Sequence, residues 1–231
     1  KSTAADPVNT RTGAFDFEQT DYTLSGRGIP IEFKRTYNSK IPDYVNRLGY
    51  GWNFSFNIYY YLDQATGNII FNFGSDRTVL FTRAVDQFGN TTYIPPAGVF
   101  DKTNIQQSYV VYTTLDGVKY IFSRPVSSNM GVLERIIDTN NNTTEFIYTA
   151  ARDVPLLTLV RDGSGRELNL IYGNPAASDW DKINRIEDRL DPASPRITTY
   201  EYHPGSYDLL RVRSNRVYNT TTEWIENTFT Y

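Results

Sequence analysis

Apolar side chains recur at every second position along this chain, and that habit decides its fold class. In "IPIEFKRTY", Ile29, Ile31 and Phe33 face one way, with Pro30, Glu32 and Lys34 opposite. In "NFSFNIYYYLD", Phe54, Phe56, Ile58, Tyr60 and Leu62 share a face. Shorter runs follow at Ile69, Phe71 and Phe73, at Val79 and Phe81, and at Val118, Tyr120 and Phe122. Successive side chains leave opposite faces of a pleated strand, so a period of two predicts half-buried strands. Clusters such as "ATGN", "FGSD", "QFGN" and "LDG" separate the runs and supply turns. Their spacing implies consecutive hairpins, hence antiparallel pairing. The one helical candidate, "SDWDKINRIED" (178–188), reads equally as a loop entering a strand. The expectation is a nearly all-β protein.

Composition removes several function classes. The net charge of -3 offers no basic field to nucleic acid. The absence of cysteine excludes disulfides, thiolate nucleophiles and zinc–cysteine sites. No apolar run approaches the roughly 18 residues of a membrane span. The opening "KSTAADPVNT" has no apolar core of a signal peptide, so the chain reads as a piece of something longer. With 18 Tyr against one Met, its aromatic residues suit pleated surfaces where one ring face packs and the hydroxyl stays wet.

The second half repeats. From Leu133, the chain places Ile136, Asp138, Phe146 and Tyr148 at fixed offsets; from Leu157 the same offsets give Val160, Asp162, Leu170 and Tyr172. From Ile183 come Ile186 and Asp188, but Tyr200 and Tyr202 arrive four residues late, after the insertion "DPASP". From Leu209 come Val212, Ser214 in place of Asp, and a longer loop closed by Phe229 and Tyr231. Each unit reads as strand, turn, strand. A lone hairpin is marginal in water, so each unit needs neighbours to bury its apolar face.

These units resemble the tyrosine-aspartate (YD) repeats of the rearrangement-hotspot (RHS) family, best in Asp162, Gly165, Arg166 and Tyr172. They depart from it after the tyrosine, where Thr149, Gly173 and His203 replace the aspartate. The first half resembles the domain that precedes such repeats, with "DPVNTRTG" (6–13), "TDY" (20–22), "RTYNS" (35–39) and "LGYGWN" (48–53) in order. The segment "DGVKYIF" (116–122) matches the style of a linking strand. The resemblance implies consecutive antiparallel hairpins in a curved, spiralling sheet, a section of an RHS/YD β-shell. It implies an N-terminal RHS-associated β domain over 1–125 and about four degenerate repeats over 126–231, starting near 133, 157, 183 and 209. It also implies a secreted or cell-surface protein whose shell encloses or displays a C-terminal toxin. The expected partners are the remaining repeats and that cargo, with no nucleic acid, no membrane span and no cofactor.

Candidate chemistry is sparse. His203, the only histidine, precedes Pro204 and Gly205 in an evident turn beside Glu201. "DTNNNTTE" (138–145) has Asp138, Asn140 and Asn142 at alternate positions, but Thr143 and Thr149 stand where a calcium loop needs Gly and Glu. The pairs Asp179 with Asp181 and Asp188 with Asp191 read as turn acids rather than a glycosidase pair. "SGRG" (25–28) lacks phosphate-loop spacing. Arg35 shares a strand face with Phe33 and Tyr37, and a buried guanidinium must be paired or stacked on a ring. The expectation is a packed cluster of Arg35, Tyr37, Tyr50 and Trp52 capping a sheet edge. The structural motif is then Arg35, Tyr37, Asn38, Gly49, Tyr50, Gly51 and Trp52, with Asp138, Tyr148, Asp162, Gly165, Arg166, Tyr172, Asp188 and Tyr202 from the repeats. No catalytic or metal residue is expected. The alternative reading is a carbohydrate- or receptor-binding surface module stacking sugars on Trp52 and the tyrosines 59–61; a hydrolase ranks third.

Overall fold

The computed structural model describes residues 8–9, 13–26, 28–40, 45–74, 77–124, 128–151, 154–188, 190, 194–218 and 221–230. Most of "DPVNTRTG", and Arg27, Asp191, Pro192 and Tyr231, lie outside them. Among the described residues every regular element is a strand, and all pairings are antiparallel. The chain opens with β1 (Val8–Asn9), β2 (Ala14–Leu24), β3 (Ile31–Asn38), β4 (Val45–Asn46), β5 (Gly49–Tyr50) and β6 (Trp52–Phe54). Two arms follow. The first holds β7 (Ile58–Leu62), β8 (Ile69–Phe73), β9 (Thr78–Val85) and β10 (Thr91–Ile94); the second holds β11 (Lys102–Ile105), β12 (Tyr109–Thr113) and β13 (Lys119–Ser123). The remainder is β14 (Met130–Ile137), β15 (Thr143–Ala151), β16 (Val154–Arg161), β17 (Glu167–Tyr172), β18 (Ile183–Asp188), β19 (Arg196–Tyr202), β20 (Leu209–Tyr218) and β21 (Thr221–Thr228).

A 15-stranded sheet runs from β10 through β7 and β14 to β21, and it does not close into a barrel. It forks at β14, whose Met130–Val132 pair with β7 and whose Leu133–Ile137 pair with β13. A four-stranded sheet, β1-β2-β3-β6, packs on the large one. One core runs through both, from Tyr22, Phe33 and Trp52 to Ile186, Tyr200 and Val212. The segment 178–188, the helical candidate, is a turn followed by β18.

The alternating run Phe54–Leu62 is not one strand. Phe54 ends β6 in the small sheet, and Ile58 starts β7 in the large one. Between them Asn57 donates its amide to Phe54 O at 3.0 Å, and Asn53 Oδ1 accepts Nδ2 of Asn57 at 2.9 Å. Alternation survives the corner because Phe54, Phe56, Ile58 and Tyr60 all turn into the space between the sheets, where each is buried.

The turns share a mechanism. In the hairpins starting at Asp86, Thr114, Asp138 and Asp162, the first residue donates its amide to the fifth's carbonyl, its own carbonyl accepts from the fourth, and its side chain accepts the fifth's amide. That fourth residue (Gly89, Gly117, Asn141 or Gly165) has φ of 84, 89, 61 or 80°. This is a type I turn closed by a left-handed residue, a conformation glycine and asparagine reach at least cost.

The repeat has a structural meaning that its spacing only hinted at. Each unit's opening aliphatic pairs with the aromatic before it: Leu133 with Phe122, Leu157 with Tyr148, Ile183 with Tyr172, Leu209 with Tyr202. The next residue is left over as a β-bulge in every case, namely Glu134, Thr158, Asn184 and Leu210. A bulge sharpens local twist and bends its strand, so regular bulges bend the sheet repeatedly in one sense. The four openers are at most 3% exposed.

Candidate functional site

The two motif groups occupy two kinds of position, a buried cluster under the small sheet and the hairpin turns of the wall. Arg35 lies on β3, with a fully buried side chain. The register of β2 against β3 slips between Thr20 and Tyr22, which leaves Asp21 as the bulged residue. That bulge turns a carboxylate toward the guanidinium: Arg35 Nε donates to Asp21 Oδ2 at 2.5 Å and Nη2 to Oδ1 at 3.0 Å. Tyr200 of β19 donates its hydroxyl to Asp21 Oδ2 at 2.8 Å. The guanidinium carbon lies 5.1 Å from the Trp52 ring centroid and 5.6 Å from that of Phe229, just past β21. Nη1 has no hydrogen-bond partner and relies on these rings.

Of the expected cluster, Arg35, Tyr37 and Trp52 come together, Tyr37 and Trp52 as a directly opposed pair with centroids 5.2 Å apart. Tyr50 does not face inward; it is 37% exposed on the β4–β5 ladder. Asp21, Tyr200 and Phe229 take part without having been singled out. The signal for Asp21 was present, since an arginine on an apolar face demands a carboxylate and "TDY" holds one in the neighbouring strand. Phe17, Tyr37, Trp52 and Phe229 also line a cleft of about 570 Å³.

"LGYGWN" positions Trp52. Asn38 donates its amide to Gly51 O at 2.9 Å, and its Oδ1 accepts Lys40 N at 2.8 Å. Gly49, at φ 93°, lies against the carbonyl of Tyr207 so closely that a Cβ would collide with it. Arg47 reaches the wall as well: its carbonyl accepts Ile183 N at 2.9 Å, and its Nη1 pairs with Asp181 at 2.6 Å.

In the wall, three aspartates perform one task. Asp138 Oδ1 accepts the amides of Asn140 and Asn142, and Oδ2 accepts Asn142 Nδ2 at 2.7 Å. Asp162 Oδ1 accepts Ser164 N and Arg166 N, and Oδ2 accepts Nε of Arg166 at 2.7 Å. Asp188 accepts Leu190 N at 2.8 Å and Nη2 of Arg196 at 2.5 Å. The returning partner is thus Asn, Arg and Arg, and the inserted "DPASP" moves it from the fourth residue after the aspartate to the eighth. Burial raises the Asp162 carboxyl, but hydrogen bonds from Arg166 outweigh it and hold the group below the usual carboxylate range. The hydrogen bond from the Asn142 side chain lowers Asp138 in the same direction. Asp86 makes the same contacts with Asn90 in the first half, at 2.8 Å to its amide and 3.1 Å to Nδ2. The shared spelling of "DQFGN", "DTNNN" and "DGSGR" could have revealed it.

In two units the closing tyrosine ties back to that unit's start. Tyr172 donates its hydroxyl to Leu157 O at 2.9 Å, and Tyr202 to Ile183 O at 2.6 Å. Burial pushes the hydroxyls of Tyr148, Tyr172 and Tyr202 well above the ordinary tyrosine range. His203 opens a turn, donating its amide to Asp208 O at 2.9 Å.

The sugar-platform expectation meets a steric obstacle. Trp52 and Tyr60 are each 3% exposed, so neither offers a ring face to solvent. Of the run 59–61, Tyr61 is the exposed ring, at 41%. Among the described residues no helix is long and apolar enough to cross a membrane. The Asp21 carboxylate is occupied by Arg35 and Tyr200, which leaves it unfit as a proton acceptor for a substrate.

Comparison with known proteins gives relatives of this arrangement. Residues 5–81 match the family described as "Domain of unknown function (DUF6531)". The tRNA nuclease WapA of Bacillus subtilis (strain 168) is 29% identical over 147 residues, covering 61% of this chain and 6% of that protein. The tRNA3(Ser)-specific nuclease WapA of Bacillus spizizenii is 28% identical over 147 residues, again 61% of this chain and 6% of that protein. The chain is thus distantly similar to a small fraction of much longer proteins named as tRNA nucleases.

Proposed function

We propose that this chain is a non-catalytic structural segment of an RHS/YD-repeat shell, part of a large secreted or cell-surface protein that encloses or displays a C-terminal effector. Residues 1–125 form the entry piece, and 126–231 supply the first four wall units. The residues singled out above hold architecture: Arg35, Tyr37, Asn38, Gly49, Gly51 and Trp52 seat the small sheet, and the aspartates and tyrosines of the repeats set turns and bends. The observation that carries this reading is the bulge after each unit's opening aliphatic, at 134, 158, 184 and 210. A wall assembled from such units extends by adding hairpins to β21, the last strand of the large sheet. Relatives that carry a nuclease name over a much greater length support a cargo located elsewhere in such a polypeptide. The reading needs no cofactor.

The test is hydrogen exchange on the full-length polypeptide beside this segment alone. The β21 amides facing away from β20 should exchange slowly in the long protein and quickly in the segment. The C-terminal part should resist protease until the repeats are unfolded. Fast exchange in both, with a C-terminal part digested at the rate of the free piece, sinks the shell.

A further inference from the structure

We propose that the cleft at the fork of the large sheet binds an anionic sugar, a hexose-sized ring bearing a carboxylate or sulfate. The two arms part at β14 and leave a cleft of about 380 Å³ between them. That volume falls within the roughly 300–1,000 Å³ of small-molecule sites. The first arm contributes Arg83, Thr91 and Tyr93; the second contributes Thr103, Asn104 and Arg124. Among the described residues no carboxylate lines it.

The arginines set this cleft apart. In an acidic chain, arginines find carboxylates readily, and nine of those described do so: 35, 47, 77, 161, 166, 185, 196, 211 and 213. Among the described residues Arg83 and Arg124 form no ion pair, and neither does Arg135, which lies outside the cleft. Arg83 Nη2 donates to Thr91 Oγ1 at 3.3 Å, and Arg124 Nη1 donates to the carbonyl of Gln106. Both lie close enough to Tyr93 to favour its ionised form, against the burial that raises it. Two such forks holding unused donors suit a planar carboxylate or a tetrahedral oxyanion. The Thr91 and Thr92 hydroxyls and the Asn104 amide supply donors for ring hydroxyls, and the Thr103 oxygen, whose proton goes to Val111 O, supplies an acceptor, while Tyr93 and Ile105 offer apolar surface to a ring face.

This site is independent of the shell reading, since neither arm's cleft takes part in repeat stacking. Titration calorimetry at low salt on the full chain tests it with four probes: a sulfated uronate disaccharide, maltose, sodium sulfate and a short oligo-dT. The sulfated disaccharide should bind, maltose should not, and sulfate should bind on the order of tenfold more weakly. Arg83→Gln with Arg124→Gln should weaken the disaccharide by roughly 100-fold, about tenfold for each lost charge-assisted pair. Thr103→Val keeps both charges and should weaken the disaccharide while leaving sulfate unchanged. Circular dichroism checks that each variant is folded. No heat from the disaccharide, undiminished binding by the double variant, or equal affinity for sulfate or oligo-dT overturns the proposal.

Discussion

Arg35 has no route to water, so its charge must be satisfied where it lies. Asp21, Tyr200 and the faces of Trp52 and Phe229 do this, drawing on both sheets. Removing one member of a buried pair leaves the other uncompensated, which costs about 3–5 kcal/mol. Asp21→Asn should therefore lower the melting temperature by on the order of 10 °C in a chain of this size. The paired replacement Asp21→Leu with Arg35→Met should recover most of that loss. Thermal melts followed by circular dichroism decide it, and an unchanged melting temperature for Asp21→Asn would mean the pair is not buried in solution. The sequence disclosed half of this cluster. An arginine among apolar neighbours was legible at a glance, but Phe229 is 194 positions away from it and only the closed fold makes them neighbours.

Strands and hairpins were the most legible level, because alternation and turn chemistry are local. The bulges were not. Counting offsets between residues finds a period, but a bulge is a mismatch between two strands and exists only once they pair. Hence the repeat starts at Leu133, Leu157, Ile183 and Leu209 were read directly, while the role of the next residue went unseen. That role is demanding. Deleting Thr158 would set Leu157, Leu159 and Val160 opposite Tyr148, Ile147 and Phe146 in a regular ladder and so remove the local bend. Leu157 and Val160, at 3% and 0% exposure, would still share the inward face, so the loss falls on the angle at which the units on either side meet. A chain lacking Thr158 should unfold at a clearly lower urea midpoint, whereas Thr158→Ala should shift the midpoint only slightly. A deletion variant with an unchanged midpoint would show that the bulge is incidental.

At the scale of the molecule, the buried tyrosines make stability sensitive to base. Burial raises the hydroxyls of Tyr148, Tyr172, Tyr200 and Tyr202 in the folded state, while an unfolded tyrosine ionises near pH 10. A raised group contributes its full stability below the unfolded value and loses it as pH climbs toward the folded one. Urea midpoints should accordingly stay flat from neutral pH to about 9.5 and fall steeply above 10. Tyr172→Phe, which cannot ionise, should make that fall shallower. An identical alkaline slope in the variant would remove Tyr172 from the account.

The distance along the chain between partners also fixes an order of events at the ribosome. Tyr22 bonds the carbonyl of Arg196, Asp21 receives Tyr200, and the Arg47 carbonyl receives the Tyr202 hydroxyl. At about 5–20 residues per second, residue 200 follows residue 22 by roughly 10–40 s. For that interval Phe33, Trp52 and the charge on Arg35 wait on a nascent chain whose lid has not been synthesised. Pauses in translation before Phe229 is made therefore hold the cluster around Arg35 incomplete.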